Sequence, residues 1–134
     1  MRASTIRHVF VYGTLKRGQD HAMARRLAVE GSYRGKASLA GRLIDLGAYP
    51  GMLPALEDGE RVKGELFALP EEGDLLECLD RYEGCHAGDA EPREYCRIVC
   101  TARDEDGVRV WCWAYLYQGG EEGRLLPGGE WPAG

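Results

Sequence analysis

The sequence predicts an α+β domain built on a small, curled, mainly antiparallel sheet with a few short helices. Three observations carry that prediction. Runs rich in β-branched and aromatic residues recur along the chain, Gly and Pro interrupt them at short intervals, and only one or two short stretches hold an apolar stripe at helical spacing.

Residues 6–12 (IRHVFVY) read as a mostly buried strand that leaves through a tight turn at Gly13. Asp20 is placed to cap a short helix running to about Leu27, with Ala22, Met23 and Leu27 on its apolar face and His21 solvated in its first turn. Residues 37–45 read as one short strand, and LGAYPGML, 46–53, as a structured loop in which Tyr49 and Met52 need packing partners. In 61–69 (RVKGELFAL), Val62, Gly64, Leu66 and Ala68 share one face and Lys63, Glu65, Phe67 and Leu69 the other, with Gly64 admitting close approach by another backbone or a ligand.

Asp74 and Glu77 stand in capping-box spacing ahead of Leu75, Leu76 and Leu79, and Gly84 is positioned to stop the helix they start. Two strands follow, 94–102 and 108–117, joined by a turn containing Asp106-Gly107. A two-residue loop there sets Arg97 opposite Leu116 and Ile98 opposite Tyr115. That register groups Cys96, Ile98 and Cys100 with Trp111, Trp113, Tyr115 and Tyr117, and Tyr95, Arg97, Val99 and Thr101 with Val110, Cys112, Ala114 and Leu116. From Gln118 onward the Gly, Glu and Pro content predicts an irregular tail pinned by Trp131.

At 134 residues the chain has the size of one domain, and with 44% hydrophobic and 29% charged residues it can bury a core without staples. A net charge of -5 with 17 scattered basic residues excludes the electrostatic footprint of a nucleic-acid or anionic-membrane binder. No stretch reaches membrane-spanning length, and residues 1–7 lead directly into a strand, so the expected compartment is the cytoplasm. Cys78, Cys85, Cys96, Cys100 and Cys112 form an odd set with no C-x-x-C pair, which argues against a disulfide framework and against a zinc knuckle. Cys85 beside His86 invites a metal or nucleophile reading, but sequence adjacency does not bring side chains together; the thiols read as packing residues. Phosphate-loop, dinucleotide, H-E-x-x-H and G-x-S-x-G motifs are all missing.

Two segments can carry chemistry. In VYGTLKRG, 11–18, a turn at Gly13 can gather the backbone N–H groups of Gly13, Thr14 and Leu15 into a concavity that suits a carboxylate or an oxyanion; the alternative is a plain strand-ending turn. In LLECLDRYEG, helical spacing aligns Leu76, Leu79 and Glu83, so a carboxyl falls on the apolar face beside the negative end of the helix. Burial and the helix dipole both raise its pKa toward the range general acid–base chemistry uses. The alternative is a helix that frays before Glu83 and lets it reach water. Tyr82 reads as a wall residue.

Taken together, VYGTLKRG (11–18), LGAYPGM (46–52), VKGELFAL (62–69), LDRYEG (79–84), YCRIVC (95–100), AYLY (114–117) and GGEW (128–131) resemble the gamma-glutamylcyclotransferase-like superfamily, most closely its bacterial branch near gamma-glutamylaminecyclotransferase. The resemblance implies a mixed, barrel-like sheet around a substrate cavity, with residues 1–117 as the gamma-glutamylcyclotransferase-like domain and 118–134 as a Gly/Pro-rich C-terminal tail of the same domain. It implies that Tyr12, Gly13, Thr14 and Leu15 form the loop whose amides hold the glutamyl unit, that Glu83 is the catalytic acid/base, and that Tyr95 lines the cavity. The implied reaction is attack of the α-amine of a gamma-glutamyl amine or amino acid on its own gamma-carbonyl. It gives 5-oxoproline and a free amine with no metal or organic cofactor. Tyr49, Met52 and residues 118–134 are candidates for the leaving-amine side. The rival from another class is a non-catalytic module that binds a small molecule or a partner in the same cavity.

Overall fold

The computed structural model describes residues 6–85, 93–120 and 123–132; His86 lies outside them. Five strands close into a barrel in the order β1 (His8–Val11), β5 (Arg61–Ala68), β2 (Ser32–Ala40), β6 (Tyr95–Asp104) and β7 (Arg109–Tyr117). All neighbours are antiparallel except the closing pair, β1 with β7, which runs parallel at Val9 and Trp113. The expected mixed, mainly antiparallel barrel-like sheet is therefore what forms. Helices α1 (Ala22–Glu30) and α2 (Leu75–Tyr82) bring Leu27, Leu75 and Leu79 onto Val9, Val11, Phe67 and Tyr115. No helix among the described residues is long and apolar enough to cross a membrane.

Period-two alternation divides the core. Phe10, Ala37, Leu39, Val62, Leu66, Ala102, Cys112 and Ala114 pack together on one face of the closed sheet, while Val9, Val11, Phe67 and Tyr115 take the helices on the other. Phe67, which shares its strand face with Lys63 and Glu65, is thus buried beneath a helix. Gly64 fits its expected role: a Cβ there would stand 2.3 Å from the Val11 carbonyl oxygen.

Several local expectations are corrected. Residues 37–45 are not one strand, because the chain breaks at Gly41; β2 ends in the barrel and β3 (Arg42–Asp45) enters a separate three-stranded sheet. Half of the expected loop 46–53 is a strand, β4 (Pro50–Leu53), which pairs antiparallel with β3. Asp45 accepts from Gly47 N–H (2.8 Å) and Leu46 N–H donates to the Tyr49 carbonyl (2.9 Å), so the turn closes within 46–49. Within the tail, β8 (Arg124–Leu125) joins that sheet, Leu126 is buried and Lys63 N–H donates to Gly129 (2.7 Å). Trp131 packs as expected, but backbone pairing anchors the segment too.

His21, not Asp20, caps α1: its ring accepts from Ala24 N–H (3.3 Å), and Asp20 pairs with Arg25 (2.6 Å). Asp74 does cap α2 by position, but its carboxylate binds Arg26 (2.6 Å) on α1 rather than closing a capping box. A distant arginine outcompetes the local amide because it adds a charge-assisted bond between two helices.

The β6–β7 register is one residue away from the expected one. Arg97 faces Tyr115 and Ile98 faces Ala114. Asp104 accepts from both Asp106 N–H and Val108 N–H (2.9 Å each), which draws residues 104–108 into the turn in place of Asp106-Gly107 alone. An odd loop shifts every partner, so Trp111, Trp113, Tyr115 and Tyr117 share a face with Thr101, Val99, Arg97 and Tyr95, while Cys112 and Ala114 join Cys100 and Ile98.

Candidate active site

Beyond Val11 the chain turns sharply, with Lys16 N–H closing on the Gly13 carbonyl (3.1 Å). Gly13 is required by crowding, since a Cβ would lie 2.7 Å from the Pro50 ring. Among the described residues none accepts a hydrogen bond from the N–H of Gly13, Thr14 or Leu15. Unmet backbone donors are rare in folded proteins, and here three in a row border a cavity.

Tyr12 fixes this loop to two other strands. Its buried hydroxyl donates to the Tyr115 carbonyl (2.7 Å) and accepts from Met52 N–H (3.1 Å). Thr14 is tied to α2 through the Tyr82 hydroxyl (2.7 Å), and His21 holds the Thr14 carbonyl (2.5 Å) while its ring stacks on Tyr82 at 5.2 Å. His21 is therefore a structural tie between loop and helices rather than a solvated residue.

Glu83 closes α2. Its N–H still donates to the Leu79 carbonyl (2.9 Å), so the helix does not fray before it. Gly84, at φ +72, then reverses the chain, with Gly84 N–H to Arg81 (3.2 Å) and Cys85 N–H to Asp80 (3.0 Å) completing a Schellman stop. This termination aims Glu83 into the cavity. Protein encloses the carboxyl while its lip stays half-buried, and that burial, with a smaller push from the Glu94 charge, raises its pKa to about 8. The sequence named burial; the push from the Glu94 carboxylate is an addition that sequence reasoning missed.

The cavity holds about 240 Å³ and brings together all six residues singled out from sequence: Tyr12, Gly13, Thr14, Leu15, Glu83 and Tyr95. Tyr95 donates to the Pro50 carbonyl (2.6 Å), and burial raises its pKa. Tyr49 lines the cavity and hydrogen-bonds Glu94; that bond raises its pKa to about 12. Met52 contributes only its backbone, its side chain being packed in the barrel-side core, and no described residue of the tail lines the cavity.

Sequence reasoning missed Glu94, Tyr115 and the role of Pro50. Tyr115 donates to Asp80 (2.7 Å), which also pairs with Arg97 (3.2 Å), so α2 is locked to the sheet one turn before Glu83. The mistaken register hid this lock. Cys85 lies outside the cavity, packed against the helix-side core, and burial pushes its thiol up to about 12, which removes it as a nucleophile at neutral pH. No three His, Cys, Asp or Glu side chains among the described residues converge to hold a metal ion.

Residues 9–133 match the family described as "Gamma-glutamyl cyclotransferase, AIG2-like". Over 112 residues the chain is 36% identical to the Gamma-L-glutamyl-butirosin B gamma-glutamyl cyclotransferase of Niallia circulans, covering 82% of this chain and 66% of that protein. It is 38% identical over 85 residues to the human Gamma-glutamylaminecyclotransferase, covering 59% of this chain and 54% of the relative. The crystal structure of an AIG2-like protein from Mus musculus superposes with a TM-score of 0.67 at 28% identity, covering 87% of this chain and 80% of that one. The match begins in the first barrel strand and takes in the donor loop, Glu83 and the docked tail, so the chain belongs to the gamma-glutamyl cyclotransferase, AIG2-like family.

Proposed function

We propose that this protein is a cofactor-independent cyclotransferase that releases 5-oxoproline and a free amine from gamma-glutamyl amines. The observation that supports it best is a carboxyl tuned to about 8 sharing one small cavity with a loop of three amides that have no acceptor among the described residues. The names of the Niallia and human relatives point the same way.

In this reading the amides of Gly13, Thr14 and Leu15 hold the glutamyl unit and steady negative charge, while Tyr12 and Tyr95, each fixed by a hydrogen bond, wall the chamber. The substrate's α-nitrogen bonds to its own gamma-carbon, closing a five-membered lactam, and the bond from that carbon to the leaving nitrogen breaks. Starting from an ammonium and ending with an ammonium, two protons pass from the attacking nitrogen to the departing one. Glu83 relays them and finishes as it began. A group with pKa near working pH suits both directions, and intramolecular attack needs orientation more than a strong nucleophile. An odd cysteine count leaves at least one thiol unpaired and fits a reducing cytoplasmic setting.

The test is release of 5-oxoproline from a panel of gamma-glutamyl amines and amino acids by purified protein. Turnover of at least one is expected. Binding without turnover of any would replace the enzyme with a small-molecule-binding module built on the same cavity.

A further inference from the structure

We propose that Glu94, held at the cavity mouth by Tyr49, selects leaving amines that carry a second positive charge. The inference rests on the cyclotransferase reading of the site and adds its substrate class.

Among the described residues the cavity lining contains two carboxylates, Glu83 and Glu94, and no Lys, Arg or His. Arg93 and Arg97 come close in sequence but line a different cavity with Asp80 and Cys85, and Arg97 is committed to Asp80 and to the Trp113 face. Glu94 is exposed, immediately precedes the strand β6, and is fixed by Gln118 N–H on its carbonyl (2.9 Å). Its Oε2 accepts from Tyr49; among the described residues nothing bonds Oε1.

Aromatic faces supply the independent observation. Tyr49, exposed at the opening, stands 6.4 Å from the buried Tyr95 in the same cavity lining, and the exposed Tyr82 borders it from the helix side. Carboxylate oxygen beside tyrosine rings is a setting that attracts ammonium groups through charge and through the ring quadrupole. With the glutamyl α-carboxylate on the amide loop, the departing half extends away from that loop. An amino-acid or peptide leaving group would bring its own carboxylate toward two acids, with no cation among the described lining residues to meet it. A diamine or amino-sugar leaving group would meet Glu94.

Three gamma-glutamyl substrates of matched length test this: those of a four-carbon diamine, the corresponding monoamine and the corresponding amino acid. The expected kcat/KM order is diamine, monoamine, amino acid, with diamine ahead of monoamine by roughly fivefold to thirtyfold. In Glu94→Gln that ratio should fall below about twofold, and Tyr49→Phe should reduce it by a smaller factor. Equal loss on all three substrates, or no diamine preference in the parent protein, would overturn the proposal. If Glu94→Gln does not fold, raising salt on the parent protein decides: the diamine preference should shrink, and a salt-independent ratio overturns it. If no compound yields 5-oxoproline, the cyclotransferase reading fails on its own, and calorimetric binding of the same compounds judges Glu94. Tighter diamine binding supports the selection, and equal or undetectable binding ends it.

Discussion

Two loops leave barrel strands in this protein, and they treat their backbone donors in opposite ways. The turn at 104–108 satisfies itself: Asp104 accepts from Asp106 and Val108, and Gly107 N–H returns to the Asp104 carbonyl (3.0 Å). The loop at 12–15 is better fixed from outside, through Tyr12, Thr14 and the Pro50 ring, yet leaves three amides unmet among the described residues. A loop that answers its own hydrogen bonds has nothing left to offer a ligand. One that is held rigid by others can keep its donors pre-aimed, which lowers the reorganisation needed when negative charge arrives.

The contrast is tested most severely at the group facing the open loop. Glu83→Gln keeps size and hydrogen bonding but not the proton, so turnover should drop by roughly a hundred- to ten-thousand-fold with binding of a gamma-glutamyl ligand retained. In the parent protein, kcat/KM should rise with pH toward a plateau above about 8, where Glu83 ionises. The stability sign is opposite to that of a salt-bridged acid. Its folded pKa is raised, so the folded state holds a proton that the unfolded chain has already released, and ionisation weighs against folding increasingly from the ordinary glutamate range up through about 8. Glu83→Gln should therefore gain stability over the parent at alkaline pH, up to roughly 5 kcal/mol above about 8, and nothing in acid, read from thermal midpoints across pH. Near-normal turnover in the variant would remove Glu83 from the chemistry.

The next largest effect should come from Gly13→Ala. Its Cβ must displace the Pro50 ring from 2.7 Å, moving the donor loop, and a shift approaching 1 Å costs on the order of a hundredfold in kcat/KM. Asp104→Ala makes the matching cut in the self-satisfied turn. Two exposed amides lose their acceptor, so the expected result is about 1 kcal/mol of stability with turnover retained. Loss of activity there would mean that the two loops are coupled. Smallest of all is Cys85→Ala, for which turnover within about twofold of the parent is expected, since a thiol pushed up to about 12 contributes packing alone. Parallel loss of activity in Cys85→Ala and on alkylation of folded protein would overturn that.

The site was more legible in the sequence than its supports were. Glu83 announced itself because helical spacing puts it over Leu79 and because Gly84 supplies the stop, both local facts. The donor loop likewise follows from a buried strand ending at a glycine. What stayed hidden is which of several possible partners a polar side chain takes. The Asp74 carboxylate chose Arg26 over its own helix, His21 took the Thr14 carbonyl, and Asp104 captured two amides and moved β7 by one residue. Each is a polar side chain with a local option and a distant or alternative one of similar strength, and only the folded geometry settles which wins. The register error carried the greatest cost, since it put Tyr115 and Arg97 on opposite faces and so concealed their shared grip on Asp80.

The parallel contact between Val9 and Trp113 has a temporal consequence as well. The first strand of the barrel has its two neighbours in β5 and β7, so as the chain emerges from a ribosome β1 gains its first neighbour only once β5 is made and keeps its other edge open until β7 follows. Nothing made early can rehearse this closure, because the loop to be closed spans nearly the whole barrel and its entropy is lost before the contact repays it. Until β7 arrives, the run HVFV keeps one open strand edge, a template for wrong pairing that the protein's own sheet does not yet cover.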